Sequence, residues 1–390
     1  MLVMLKCASV FTHEIDDPEK ALTEIKTQMD KKLTLLDHSA GIVMCHTEFV
    51  ASGVLKHICQ NLPFDLAGTT TSSQAVNDDT GELILTIFVM TSDDVRFRTG
   101  ITDSLNDGID EPVKAAYEKA AAAESALPAL AIVLSPFSIE KHSGDAHVRA
   151  WKKIIPGTPL FGTLAVDDTV SFEKNRVIYR GADTKEAAAF VLCYGNITPR
   201  FFIAALPQND AISLQAVVTK SKGNFVHEIN HKSAQTFFAD LGTPESMITV
   251  PLMVNLLNQE DYDGIPVIRG QAGFTEEGTG IFCGDVDEGS TVSLVKFDFD
   301  DILSASQKGI ERINTQAEVN GALLFSCISR RMLLLGAGAP LSELKAAKDT
   351  INPDIPFMMG YSGGEFCPTS VKNNVPANRF HNFSLIILVV

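Results

Sequence analysis

PFMMGYSGGE, residues 356 to 365, sets a proline before a short apolar run, a glycine and then small and polar residues. Two other places share this layout, PFDLAGTTTSS (63–73) and PLFGTLAVDD (159–168), so that Pro63, Pro159 and Pro356 align, with Gly68, Gly162 and Gly360 following. A glycine at a strand end permits left-handed backbone or the close approach of another main chain. Working outward, each stretch sits in the same series of helix, buried strand, helix, turn segment and closing strand. In the first copy 17–32 reads as a helix and GIVMCHT (41–47) as a buried strand. Thr47 is then expected to cap a helix with Val50, Val54 and Ile58 on one face. GELILTIFVM (81–90) closes the unit. The second copy reads as a helix over 111–125, LPALAIVLSP (127–136), a helix carrying Val148, Trp151 and Ile155, and AAAFVLCYG (187–195). The third has a helix over 300–315, GALLFSCISR (321–330), a helix with Leu341, Leu344, Ala347 and Ile351, and NFSLIILVV (382–390).

Residues 197–298 break this order. They alternate β-like runs, among them FFIAALP, LQAVVT, NFVHEI, MITVPLMV, GIFCG and TVSLVKF, with turn residues, and one helix-like stretch covers 233–241. The fold class predicted is α/β (mixed α+β), with repeated helix-strand-helix-strand-strand units, mixed sheets covered by helices, and a β-rich insertion. Two domains follow, 1–198 with two repeats and 199–390, the latter divided into a β-rich segment (199–298) and a third repeat (299–390).

Composition narrows the function. The chain has 390 residues, 45% hydrophobic and 21% charged, which is ordinary globular usage with material for more than one core. A formal net charge of −16, without any long basic run, predicts no nucleic-acid partner. Apolar runs are far shorter than the ~20 residues of a membrane span, so no membrane insertion is expected. The start, MLVMLKC, reads as a first strand and not as a leader. Seven cysteines without C-x-x-C pairs suit reduced thiols in a cytoplasmic protein.

Four groups of residues carry possible chemistry. His227, Glu228 and His231 match the H-E-x-x-H zinc pattern, which requires a helix. Here the flanking residues read as a strand and a turn, and on a strand the two histidines stand ~13 Å apart, too far for one zinc. His142, Asp145 and His147 cluster at the start of a helix, where Ser143 or Asp145 is expected to serve as its cap. Cys327 beside Arg330 and Arg331, with Glu365, Cys367 and His381, has the residue types of a thiol nucleophile site activated by cations. Arg379, His381 and Asn382 place side-chain donors at the entrance to the last strand. With Tyr361, Ser362 and Glu365 they suit a ligand bearing a carboxylate and an amine.

GIVMCHTEF, LAGTTTSS and LFGTLAVDD in the first half, and VHEINHKSA, ALLFSCISRR, YSGGEFCP and NRFHNFSLIIL in the second, resemble the FIST proteins, with an N-terminal and a C-terminal FIST domain. The resemblance covers nearly the whole chain, and the Gly-Glu followed by His-Asn is its most telling spacing. Thr69, Thr70 and Thr71 stand where the family more often has a Cys-Ser-Thr flavour. What the resemblance implies is an intracellular small-molecule sensor, not an enzyme, whose ligand is an amino acid or similar metabolite. With no output domain in this chain, the signal is expected to pass to a separate histidine kinase, chemoreceptor or diguanylate cyclase. Two alternatives stand beside it, a haem-binding nitric oxide sensor and a cysteine-dependent hydrolase or transferase. No cofactor is otherwise expected and no metal. The ligand site is expected at Gly68, Thr69, Thr70, Thr71, Gly162, Thr163, Cys327, Arg330, Tyr361, Ser362, Gly363, Gly364, Glu365, Arg379, His381 and Asn382.

Overall fold

The computed structural model describes residues 5–169, 171–205, 216–242, 252–255, 267–294, 298–372 and 375–390. Parts of the runs FFIAALP, LQAVVT, MITVPLMV and TVSLVKF lie outside them. The first unit runs β1 (Leu5–Thr12), α1 (Pro18–Lys32), β2 (His38–Cys45), α2 (Thr47–Ala51), α3 (Val54–Asn61), β3 (Asp65–Thr70), β4 (Gln74–Val76), β5 (Thr80–Gly81) and β6 (Leu85–Ser92). Local chemistry sets these ends. The Asp17 carboxylate accepts from the N–H groups of Glu19 and Lys20 at 3.1 and 3.0 Å, and Pro18 occupies the first turn, where no N–H is needed. The expected helix after β2 is broken in two, because Gly53 adopts a left-handed φ of 83°. Its cap is the His46 ring, which accepts from the Glu48 N–H at 3.2 Å, and not Thr47.

The second unit follows as β7 (Arg96–Ile101), α4 (Asp110–Ala120), β8 (Leu130–Ser135), α5 (Gly144–Ile154), β9 (Leu160–Leu164), β10 (Val177–Tyr179), β11 (Ala182–Thr184) and β12 (Ala189–Tyr194). The third opens with β13 (Arg200–Ala204). The chain then departs into β14 (Ala216–Lys222), β15 (Phe225–Ile229), β16 (Lys232–Ser233), α6 (Ala234–Asp240), β17 (Leu252–Asn255), β18 (Val267–Arg269), β19 (Gln271–Phe274), β20 (Gly280–Phe282) and β21 (Thr291–Leu294). It resumes with α7 (Phe299–Asn314), β22 (Ala322–Cys327), α8 (Ile328–Gly336), α9 (Ser342–Thr350), β23 (Phe357–Ser362), β24 (Glu365–Lys372), β25 (Val375–His381) and β26 (Leu385–Val389). The β-rich segment is thus inserted between the first strand of the third unit and that unit's first helix, and residues 328–330, expected to extend a strand, already belong to α8.

Pairing joins these elements into three six-stranded sheets of one plan, β1-β6-β2-β3-β10-β11, β7-β12-β8-β9-β24-β25 and β13-β26-β22-β23-β4-β5. Each has one parallel pair at its centre, β2 with β3, β8 with β9, and β22 with β23. The last two strands of every sheet come from another unit. The β4–β5 hairpin of the first unit completes the third sheet, β10–β11 of the second completes the first, and β24–β25 of the third completes the second.

The central strands are apolar on both faces because both faces are buried. Along β2, Ala40, Ile42 and Met44 enter a core shared by all three sheets, where they meet Ile132, Phe161, Leu323 and Phe325. Val43 and Cys45, on the alternate face, pack against α1 and α3 through Ile25 and Ile58. The second sheet turns its outer face to Val113, Val148 and Trp151, and the third to Ile310 and Leu344. The three sheets therefore enclose one apolar core and carry their helices outside. The inserted strands keep a core of their own around Val226, Phe238, Phe282 and Val292. Their sheet runs β18-β17-β21-β14-β15-β20-β19, and since only Gly270 separates β18 from β19, it curls back on itself.

Candidate functional site

The three glycine-containing strands do converge, and their polar residues bond mainly to one another. The Thr71 hydroxyl donates to the Tyr361 carbonyl at 2.8 Å, and the Val166 N–H to the Thr70 carbonyl at 3.3 Å. Leu164 and the Gly363–Gly364 pair exchange backbone bonds of 2.9 Å. Thr70 accepts from the Arg176 N–H at 2.8 Å, Thr163 donates to the Leu164 carbonyl, and Ser362 closes on Gly364. This is the crossing where the exchanged hairpins leave their parent units. Thr69, Thr70, Thr71, Thr163, Tyr361 and Ser362 are all fully buried in it. Gly68 and Gly162 have a local reason to be glycine: a Cβ on either would stand 1.9 Å from the carbonyl oxygen of Val43 or Val133 on the adjoining parallel strand. Gly363 leaves room for the Phe137 ring and Gly364, at φ 148°, for the Phe380 ring.

Arg330 faces inward, away from solvent. Its guanidinium donates to the Glu343 carboxylate at 3.0 and 2.8 Å, to Ser306, and to the carbonyls of Ala204, Ile302 and Phe383, which uses all of its N–H groups. Glu343 also accepts from Ser326 at 2.7 Å. The pair is fully buried and ties β13, α7, α8, α9 and the turn between β25 and β26 together, so the cation's donors are all engaged within the fold. Cys327 and Cys367 are buried too, and burial, followed by the nearby Glu365, pushes both thiols well above their ordinary range. The expected activation of Cys327 by a neighbouring arginine is not what the geometry provides. His381, held neutral by burial at about 4, bonds through Nε2 to the Cys367 carbonyl at 2.9 Å and does not face a thiol. Glu365 accepts from Ser384 at 2.8 Å through one oxygen, while Oε1 has no hydrogen-bond partner among the described residues. Burial raises this carboxyl well above the usual carboxylate range, while the bond from Ser384 works against the shift. Arg379 is buried opposite Cys367 in the β24–β25 hairpin, and Asn382 accepts from the Gly270 N–H at 3.4 Å.

The remaining motifs are also structural. His227 and Glu228 lie on β15, while Asn230 and His231 form a left-handed turn with φ of 50° and 61°. The H-E-x-x-H pattern thus has no helix to hold zinc, and His227 meets Thr279 at 3.0 Å. His142 bonds to the Leu105 carbonyl and His147 to Ser135 at 3.3 Å, both away from Asp145. Ser143, not Asp145, caps α5. Asp145 holds Arg269 of the inserted sheet at 3.0 Å, and this buried pair fastens that sheet to the second unit. No group of three His, Cys, Asp or Glu side chains suited to a metal ion occurs among the described residues.

The open space lies just beyond the crossing. A cavity of about 540 Å³, the size of a small-molecule site, separates the second unit from β19 and β20 of the inserted sheet. Its floor includes Phe137, the ring seated on Gly363, and Phe172, packed edge to face against Phe137 at 5.2 Å. Ile139, Phe274 and Ile281 complete the apolar wall. The rim carries Lys141 and Lys185 together with Glu140, Glu173 and Glu186. The loop between β9 and β10 is shaped by two buried side chains. Asp167 accepts from the N–H groups of Thr169 and Lys174, both at 2.6 Å. Asn175 donates to the Phe172 carbonyl at 2.7 Å and accepts from the Phe137 N–H at 3.3 Å. These bonds hold Phe172 at φ 55°, a conformation that bulky residues rarely adopt and that recurs at ligand clamps.

The sequence motifs do not point to this lining. None of the sixteen expected site residues contributes to it, although Gly363 supports its floor. Asp167 is visible within LAVDD, but nothing local marks Phe172, whose backbone is fixed by Asn175 and by contact with Phe137.

Two family models match the chain. The FIST N domain matches residues 39–232 and the FIST C domain residues 233–368. A search of curated proteins found no match. The two domain matches together span most of a chain whose β15 and the turn after it carry the VHEINH segment and whose crossing carries YSGGE, and on that ground the chain belongs to the FIST family, whose domains are small-ligand sensing domains of signal transduction.

Proposed function

We propose that this chain is a small-molecule receptor whose ligand occupies the cavity between the second unit and the inserted sheet. The observation that carries this reading is the cavity itself, about 540 Å³ with an aromatic floor and charges of both signs at its rim. Two lysines and three glutamates at the edge of an apolar hollow suit a ligand with a carboxylate and an ammonium group, an amino acid or similar metabolite. The residues present do not fit haem there, because the described lining offers no histidine, cysteine, methionine or tyrosine to an iron. The inserted sheet supplies one wall and is fastened to the second unit by Asp145–Arg269, so occupancy bears directly on how the two parts sit together. A separate signalling protein of the histidine kinase, chemoreceptor or diguanylate cyclase kind would read that state.

The test uses Gly273, a cavity residue at which an added Cβ meets no atom within 4 Å. Gly273→Trp should fill the space without straining the fold. Native mass spectrometry of the protein purified from its source should show a small-molecule adduct in the wild type and none in Gly273→Trp, with the unfolding transition kept within a few degrees. An adduct that survives in Gly273→Trp would place the ligand elsewhere and overturn the reading.

A further inference from the structure

Resting on that cavity reading, we infer that the ligand carries a planar aromatic ring, which stacks on the Phe137–Phe172 platform, and that Asn175 is the residue that positions this platform. Three observations support it. The two rings meet at 5.2 Å with 78° between their planes, so one ring presents a face where the other presents an edge. Phe172 is almost fully buried and backs the half-buried Phe137 ring, so a flat ring seated there stacks on Phe137 and meets only the part of Phe172 left open to the hollow, and such contacts favour aromatic over aliphatic groups by up to about tenfold. Phe274 stands in the opposite wall, in the inserted sheet, and makes the hollow aromatic on both sides.

The second observation is the construction beneath the rings. Asn175 is buried and uses both ends of its amide, the oxygen on the Phe137 N–H and the nitrogen on the Phe172 carbonyl. One side chain therefore sets two aromatic residues from separate loops. The third is backbone cost. Phe172 keeps a left-handed φ of 55°, where a glycine or asparagine would be easier. A strained phenylalanine held by a dedicated amide is what a stacking surface requires.

Three probes separate the ring from the charges: L-tryptophan with both, indole with the ring alone, and L-leucine with the charges alone. Calorimetric titration of the full chain should give saturable binding of tryptophan and indole, with tryptophan about tenfold tighter than leucine. Phe172→Leu, which keeps apolar volume, and Asn175→Ala, which releases the platform, should each cut that preference to about threefold or less while leucine binding changes little. Thermal unfolding within a few degrees of wild type for at least Phe172→Leu excludes collapse as the cause. Leucine binding as tightly as tryptophan, with both lost in Gly273→Trp, would overturn the aromatic assignment and leave the cavity reading standing. Tryptophan binding unchanged by Gly273→Trp would instead remove the cavity reading itself. Failure of both ring probes to bind would overturn the inference.

Discussion

Buried ionisable side chains in this protein oppose one another across the pH scale. Burial holds His147 at about 3 and His381 at about 4, so each is neutral when folded and free to protonate when unfolded. Their contribution to stability is complete above the unfolded value near 6.5 and falls as pH drops below it, by about 2 kcal/mol each at pH 5. Glu365 works in the other direction. Its folded pKa lies above the unfolded one, so its contribution is complete below about pH 4.3 and is lost as pH rises. Urea denaturation from pH 5 to pH 9 should therefore give a maximum near neutrality. Glu365→Gln, which keeps the bond from Ser384 in a neutral side chain, should flatten the alkaline limb and steepen the acid limb, where the loss from Glu365 no longer opposes the gain from the two histidines. An alkaline limb as steep in the variant as in the wild type would show that Glu365 is not the group responsible. At this scale the sequence points to residues that the fold buries together at the crossing. The bonds that tie Glu365, Arg330 and Thr71 to other elements reach partners from 13 to 290 positions away in the chain, where no spacing rule points to them.

The strand pairs show how far local pattern reaches. Helices α1, α5, α7 and α9 and the apolar central strands are readable in the sequence, because a 3.6 period or an unbroken apolar run is a local property. The breaking of the helix after β2 at Gly53 is not, since an isolated glycine inside a helical pattern is usually tolerated. The turn glycines read as places where a ligand meets backbone. Gly162 in fact meets its neighbouring strand, and Gly162→Ala should cost about 3 kcal/mol in chemical denaturation, because the two central strands of the second sheet must part. Gly273→Ala, set in open space, should stay within about 0.5 kcal/mol of wild type. A Gly162→Ala variant as stable as Gly273→Ala would show that the close approach has no energetic weight.

In the whole molecule the exchange of hairpins decides what can fold. A chain cut after residue 198 keeps a complete first sheet, but its second sheet loses β24–β25 and its own β4–β5 hairpin loses the partner β23. Fragment 1–198 alone should aggregate or unfold without a cooperative transition, and coexpression with 199–390 should restore a soluble complex. A sharp thermal transition in the isolated fragment would contradict this interdependence. No described helix is long and apolar enough to cross a membrane, and the apolar strands that dominate the sequence find their burial inside the three-sheet core.

The residues by themselves determined the order of helices and strands, the threefold recurrence of the turn segment and the family, because periodicity, capping and short motifs are written within a dozen positions. Which sheet each hairpin completes, and that the inserted strands wall a cavity against the second unit, only the tertiary structure decided. Those outcomes depend on surfaces far apart in the chain, such as Phe137 against Gly363 and Asp145 against Arg269, and their complementarity exists only once the backbone has brought them together.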